Sequence, residues 1–118
     1  AEDPEFFDNM DEILDVEGLG GVQLGPSDLA LGLGIKETYN FDNPQVKSRF
    51  ERLFKKAKEK GIPLMGPIAP PNLERAIEMA ENGVRVMTLR NDVTNFKMLL
   101  AGLRKDVYIP LKKHFETV

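Results

Sequence analysis

The sequence predicts an α/β protein in which short parallel strands are covered by helices. Apolar runs at residues 21–24, 63–68 and 84–89 read as strands, and a segment with helical spacing separates each run from the next. Such helical crossovers join parallel strands, and the helices cover the sheet on both faces. Because three parallel strands leave two unpaired edges, the sequence indicates one part of a larger sheet.

Each predicted helix has a recognisable start and end. Asp3-Pro4 reads as a cap followed by proline at the first helical position, and Gly18 ends that segment. The second helix runs from Pro44 to Gly61, and the third ends at Asn82-Gly83. The inward positions of these three helices are Phe6, Met10, Ile13 and Leu14; Val46, Phe50, Leu53, Phe54 and Ala57; and Leu73, Ala76, Ile77 and Ala80.

A fourth helix is predicted from residue 91 to about residue 107. It carries an apolar stripe of Phe96, Leu99, Leu100 and Leu103. Pro110 should break this helix and begin a short terminal helix that ends near Phe115. We therefore expect residues 1–118 to form a single partial domain, with residues 110–118 as its terminal helix.

Composition excludes several classes of function. The chain has 118 residues, 42% of them hydrophobic and 30% charged, with a net charge of −3. It contains no cysteine, which excludes disulfides, thiolate catalysis and cysteine-ligated zinc and suits a cytoplasmic protein. No leader or membrane-spanning run is apparent, and the acidic balance argues against nucleic acid as a partner. Acids crowd residues 1–17 and bases crowd residues 47–60; we interpret both as solvated helix faces.

The stretch LGPSDLALGLG, residues 24–34, is unusual because an apolar run stops at Gly25-Pro26 and then presents Asp28. A (β/α)₈ barrel uses roughly 30 residues per repeat, and Glu2 precedes Asp28 by nearly that length. If Glu2 ends one strand, Asp28 follows the next, and both carboxylates lie at one rim as ligands for Mg²⁺ or Mn²⁺. The alternative is that Glu2 is solvated terminal sequence and Asp28 caps a helix.

The segment EDPEFFDNMDEILDVEGLGGVQLGPSDLALGLG resembles the HpcH/HpaI family of metal-dependent aldolases and lyases. The resemblance rests on an upstream glutamate, an ILDVEG-like turn and the Gly-Pro-x-Asp-Leu turn, and it continues weakly through most of the chain. It implies that Glu2 and Asp28 are metal ligands. It also implies that the turn Gly25, Pro26, Ser27 and Asp28 binds the substrate carboxylate through backbone N–H groups.

The family fold is a complete (β/α)₈ barrel, and this chain matches its C-terminal half. The resemblance implies a class II aldolase or lyase that handles a pyruvate-type enolate of a 2-keto acid, active only in the intact parent protein. The proton-transfer pair and the arginine of the family belong to the other half, so no catalytic residue is assigned here. Family members are oligomers that exchange terminal helices, so we expect residues 110–118 to pack on a neighbouring subunit. The alternative is a non-catalytic interaction or scaffold module derived from such a barrel.

Three further features of the sequence bear on function. His114, the only histidine, has no partner at a plausible spacing and reads as a surface residue. The glycines between residues 18 and 34 complete no nucleotide-binding pattern. The segment Leu89-Arg90-Asn91-Asp92 stands where the family tends to have a small glycine-containing turn. Arg90 would crowd the rim, bind an anionic substrate tail or, as we favour from sequence, form a surface salt bridge.

Overall fold

The computed structural model describes residues 1–36 and 41–116, so the predicted polar connection at residues 36–43 lies partly outside the described residues. The strands are β1 (Val22–Gln23), β2 (Leu64–Pro67) and β3 (Val84–Thr88). The helices are α1 (Pro4–Asp8), α2 (Met10–Leu14), α3 (Pro26–Gly32), α4 (Pro44–Lys60), α5 (Leu73–Glu81), α6 (Asp92–Leu103) and α7 (Ile109–Glu116). A π-helical turn, Arg104–Tyr108, joins α6 to α7.

The three strands form one parallel sheet in the order β1-β2-β3, which confirms the prediction. Backbone hydrogen bonds extend the sheet beyond β1. The amino group of Ala1 donates to the carbonyl of Gln23 at 2.8 Å, and the N–H of Gly25 donates to the carbonyl of Ala1 at 3.0 Å. This is the pattern of a parallel ladder in which Ala1 lies opposite Leu24. Ala1 therefore occupies a fourth strand position.

The N-terminal helix differs from its prediction because it is divided at Asn9. Asp3 caps α1 as predicted, with its side chain accepting from the N–H of Phe6 at 2.8 Å. Asn9 then leaves the helical conformation, with φ −101° and ψ 14°, and its side-chain amide donates to the carbonyl of Glu5. An asparagine that bonds to nearby backbone competes with helix propagation. The fully buried aromatic residue of this segment is Phe7, whereas the predicted Phe6 is half-buried.

Helix α3 was not predicted. Residues 24–34 were interpreted as a turn followed by apolar residues re-entering the core, but a helix begins at Pro26 directly after the turn. Leu29 and Ala30 are buried as expected, while Leu31 is exposed. Gly32 and Gly34 obscure the helical pattern, and proline at the first helical position was the available signal.

Most of the core lies between the sheet and the helices α1 to α4. Helix α4 has the predicted limits, since Asn43 caps its start and Gly61 ends it with φ 68°, a left-handed conformation that favours glycine. The buried core residues are Phe7, Met10, Leu14, Val22, Leu24, Leu29, Ala30, Phe41, Val46, Phe50, Leu53, Ala57, Leu64, Ile68, Met79 and Val84. On α5 the burial prediction was partly wrong, because Met79 is buried whereas Leu73 and Ile77 are exposed.

Helix α6, the π-helical turn and α7 form one continuous helical rod, which we call the C-terminal rod (92–116). Pro110 does not break it as predicted. Proline lacks an N–H and its ring clashes with the carbonyl four residues earlier, and the wider π turn just before it relieves both problems. The predicted stripe of Phe96, Leu99, Leu100 and Leu103 is exposed along this rod. The molecule measures 70 × 28 × 21 Å, so it is strongly elongated.

The acidic and basic segments contact one another instead of only facing solvent, which corrects their interpretation. On α4, the side chains of Arg52, Lys56 and Lys60 point towards the N-terminal helices. Arg52 donates to the carbonyl of Phe7, while Lys56 and Lys60 pair with Asp11 and Asp15. We call these three contacts the charge ladder.

Within residues 1–36 and 41–116, no helix combines the length and apolar character that crossing a bilayer requires.

Candidate functional site

The candidate site lies at the edge of the sheet where the parallel strands end. Glu2 follows Ala1, which pairs beside β1, and Gly25 begins the turn that leaves β1. Parallel neighbours end at the same edge, so Glu2 and the turn lie side by side. In α/β barrels this C-terminal edge is where chemistry takes place.

Glu2 is in direct contact with Gly25. A Cβ atom placed on Gly25 would overlap the Cβ of Glu2 and would lie 3.1 Å from its Oε2 atom. The φ of Gly25 is −117°, an ordinary value for any residue, so glycine is needed here for space and not for backbone conformation. The absent side chain allows the Glu2 carboxylate to lie against the turn.

Asp28 is exposed in the first turn of α3, and it does not cap the helix. The N-cap residue is Gly25, and no side chain accepts a hydrogen bond at this helix start. Because Pro26 has no N–H, the N–H groups of Ser27 and Asp28 are the first donors of α3. In the described part of the chain neither has an acceptor, since the first bond of the helix runs from Leu29 to Gly25. The helix start thus carries an exposed carboxylate and two backbone donors that have no acceptor among the described residues.

The described residues do not bring three potential metal ligands of the Asp, Glu, His or Cys type together anywhere. At this edge they supply the two carboxylates, Glu2 and Asp28. His114 lies far along the C-terminal rod, where its ring contacts Phe115 edge-on with centroids 5.4 Å apart, and it is exposed as predicted.

The same edge continues over the ends of β2 and β3, where it borders a cavity of about 420 Å³. Its lining residues are Pro67, Ile68, Ala69, Pro71, Thr88, Arg90, Asn91 and Thr94. Arg90 is the one described residue other than glycine with a positive φ, at 73°. No described residue forms an ion pair or a hydrogen bond with its side chain, so the favoured surface salt bridge was wrong for the part of the chain that the structure describes. The sequence drew attention to Arg90 but not to this cavity; Asn91, which caps α6, was the available signal for a loop end there.

A second cavity, of about 250 Å³, lies on the outer layer between α4 and α5. Arg75 borders it and is held by Asp42 at 3.1 Å and by Glu78 at 3.0 Å. Neither Glu2 nor Asp28 lines this cavity.

A model of the HpcH/HpaI aldolase/citrate lyase family matches residues 2–100, which include the whole candidate edge. The chain belongs to this family. It is 36% identical over 90 residues to 5-keto-4-deoxy-D-glucarate aldolase of Escherichia fergusonii, covering 76% of this chain and 34% of that protein. It is 40% identical over 61 residues to 2-keto-3-deoxy-L-rhamnonate aldolase of Escherichia coli, covering 52% of this chain and 22% of that protein.

Several solved structures share the fold. An HpcH/HpaI aldolase from Desulfitobacterium hafniense superposes with a TM-score of 0.74 at 25% identity, over 90% of this chain and 40% of that one. Macrophomate synthase superposes with a TM-score of 0.81 at 19% identity, over 96% of this chain and 38% of that one, a likeness of fold alone. The predicted fold class is confirmed: parallel βα units that match part of a (β/α)₈ barrel. The chain spans about a third or less of the length of the curated relatives it matches.

Proposed function

We propose that this chain is the C-terminal half of a divalent-metal-dependent aldolase or lyase that cleaves or forms a carbon–carbon bond beside a 2-keto acid. One observation carries the proposal. Glu2 and Asp28 follow neighbouring parallel strand positions, and Gly25 lacks the side chain that would displace Glu2. Membership of the HpcH/HpaI family and the aldolase relatives support it.

The donor chemistry fits a hard cation. Glu2 and Asp28 would hold Mg²⁺ or Mn²⁺, both of which prefer carboxylate oxygens and keep positions open for water or substrate. Because Gly25 has no side chain, Glu2 packs against the turn. When bound, such a cation supplies a Lewis acid that draws electron density from the 2-keto group of the substrate.

The start of α3 would hold the substrate. The free N–H groups of Ser27 and Asp28 donate to the carboxylate of a 2-keto acid such as pyruvate. Backbone donors cost little to orient because the helix already fixes them. Gly25 and Pro26 form the turn that precedes these donors, and Glu2 lies against the same turn. The proton-transfer groups would come from the other half of the barrel.

The test uses the whole enzyme that contains this chain, assayed for pyruvate release from 4-hydroxy-2-keto acids with Mg²⁺ or Mn²⁺. Asp28→Ala should lower kcat/KM by about three orders of magnitude, because a metal ligand is lost. Asp28→Asn should be nearly as damaging, since a neutral amide is a poorer ligand than a carboxylate. The fold should persist, because Asp28 is exposed.

Asp8→Asn is the matched control, because Asp8 is an exposed carboxylate at the far end of α1. It should retain wild-type kcat/KM and wild-type Mn²⁺ affinity by calorimetry. Near-normal, chelator-sensitive turnover in Asp28→Ala would exclude Asp28 as a ligand.

A scaffold module without chemistry is the second candidate. It is favoured by the absence of a third potential metal ligand among the described residues and by Arg90 at the rim. Calorimetry of the whole protein separates the two, because a scaffold should bind neither Mn²⁺ nor pyruvate.

Two further expectations remain predictions: assembly into a homo-oligomer, with residues 110–118 on a neighbouring subunit, and a cytoplasmic location.

A further inference from the structure

The cavity of about 250 Å³ between α4 and α5, which we call the outer cavity, combines an apolar floor with a charged rim. Its walls come from two helices of this chain and from the residues just before α4. Ligand sites in proteins are usually concave and apolar, with a few polar groups that fix the orientation of the ligand. The outer cavity has this composition and shares no residue with the candidate catalytic edge.

The floor of the outer cavity is aromatic. Phe50 is 1% exposed, and its ring centroid lies 5.6 Å from that of Phe41 and 6.2 Å from that of Phe54. The rings of Phe50 and Phe54 are inclined by 23°, which is close to stacked. Phe54 is only half-buried, so part of its surface stays open at the cavity. A further planar ring can pack on this surface, because aromatic pairs are favourable at centroid distances of about 4.5–7 Å.

Two lysines on the rim carry charges that no described residue neutralises. Lys55 and Lys58 line the cavity from α4, and neither forms an ion pair or a hydrogen bond with a described residue. Lys58 follows Phe54 by four residues, so both side chains lie on one face of the helix, a turn apart. Positive charge is thus placed beside the open aromatic surface.

The other charged groups of the rim are paired with one another. Arg75 is held by Asp42 at 3.1 Å and by Glu78 at 3.0 Å, and its side chain is 15% exposed. Lys47 lies 4.0 Å from Glu51. With these pairs formed, the charge left over on the rim is positive, which favours an anionic ligand over a neutral or cationic one.

The size of the outer cavity limits what it can hold. Drug-sized ligands occupy pockets of roughly 300–1,000 Å³, so 250 Å³ suits a smaller molecule. One ring with a short acidic group fits this description, whereas a nucleotide is too large. A compact inorganic anion would leave the aromatic floor uncovered.

We propose that the outer cavity binds a small aromatic carboxylate, with its ring on Phe54 and its carboxylate between Lys55 and Lys58. The ring gains contact with the floor, and each ammonium group can donate a charge-assisted hydrogen bond to the carboxylate. This inference goes beyond the proposed aldolase function and does not depend on it, because no residue is common to the two sites.

The experiment is titration calorimetry of the whole protein that contains this chain, with benzoate as the probe. Benzoate should bind with one site per chain. Benzyl alcohol, which has the ring without the charge, and acetate, which has the charge without the ring, should each bind at least tenfold more weakly. Absence of benzoate binding to the wild type would overturn the proposal.

Variants test the two halves of the site separately. The double substitution Lys55→Gln and Lys58→Gln should weaken benzoate binding at least tenfold. Phe54→Leu should weaken it at least threefold, with circular dichroism to show that the fold persists. Lys105→Gln is the control, because Lys105 is an exposed lysine that lies outside the cavity, and it should bind benzoate as the wild type does. Equal affinity in the double variant and the wild type would also overturn the proposal.

One more variant shows where benzoate binds. Asp28→Ala alters the candidate catalytic edge and leaves the outer cavity intact, since Asp28 does not line it. Its affinity for benzoate should equal that of the wild type. A tenfold loss in Asp28→Ala would place the carboxylate at the catalytic edge and contradict a site between α4 and α5.

Discussion

At position 25 any side chain would occupy space that Glu2 already fills. The overlap involves the Cβ of Glu2, a rigidly placed atom, and not the tip of a flexible side chain. The backbone of Gly25 is in a conformation open to every residue, so a substitution there acts through contact alone. A substitution of Gly25 therefore tests whether metal binding depends on the position of Glu2.

Gly25→Ala should weaken Mn²⁺ binding by the whole enzyme at least tenfold, because the new methyl group pushes Glu2 away from the turn. It should also cost about 1–3 kcal/mol in the free energy of unfolding, as is usual for overpacking. Calorimetry gives the first quantity and denaturant unfolding the second. Gly20→Ala is the control, since a Cβ on Gly20 meets nothing within 4 Å. Loss of stability with unchanged metal affinity would place Glu2 outside the metal site.

The sequence predicted the candidate residues of this edge but not the contacts between them. Glu2, Gly25 and Asp28 were found by spacing and resemblance, because strand ends recur at a fixed interval along the chain. The contact between Glu2 and Gly25 is a distance between remote residues, and no local pattern carries it. The left-handed backbone of Arg90 was equally hidden, since arginine is not a residue type that predicts positive φ.

Among the secondary-structure elements, α4 and the N-terminal helices show how charge can mislead a sequence reading. Both segments are charged on one face, which is what a solvated helix also shows. In the fold, three side chains of α4 at four-residue intervals meet the segment from Phe7 to Asp15. The caps and limits of α4 were predictable because they depend on neighbouring residues, whereas the partner of its basic face was not.

The charge ladder gives an element-scale prediction about acid. The hydrogen bond from Lys56 lowers the pKa of Asp11 below its usual value of 3.8. A depressed carboxylate pKa adds stability above the unfolded-state pKa, and that stability is lost as pH falls through the folded-state pKa. Lys56→Gln should therefore lower Tm slightly at pH 7 and differ less from the wild type near pH 3.

Thermal unfolding at both pH values measures this convergence. Lys58→Gln is the control, because it removes the same charge from α4 at a position outside the ladder. The Lys56 effect should also shrink in high salt, since the Asp11 side chain is 68% exposed. An equal Tm difference at pH 3 and pH 7 would contradict the pairing with Asp11.

At the scale of the whole molecule, the C-terminal rod presents an apolar surface that the described residues do not cover. Leu99 and Leu103 are 58% and 51% exposed, and Phe96 is 62% exposed. A folded chain of this length has an expected radius of gyration of about 13.5 Å, well below the observed 18.9 Å. Helical spacing predicted the stripe correctly, but burial depends on a neighbour that spacing does not reveal.

Residues 1–118 produced alone should self-associate and bind a hydrophobic dye, because contiguous apolar patches of this kind are unstable in water. Replacing Leu99 and Leu103 with glutamate should reduce both the apparent mass by light scattering and the dye fluorescence. Lys97→Glu, a charge change on the same helix, should alter neither by a comparable amount. A monomeric wild-type chain that binds no dye would show that the rod is covered in solution.

The pairing of Ala1 beside β1 also bears on how the sheet is assembled during synthesis. Ala1 lies opposite Leu24, Val22 opposite Leu64, and Leu64 opposite Val84, so neighbours in space are always the next strand in the chain. Because each strand pairs with the next strand along the chain, the entropic cost of loop closure is modest. This favours sequential folding during synthesis. The helix that follows each strand can cover it before the next strand arrives. Among the described strands, the pairing of β2 with β3 is then the last to form.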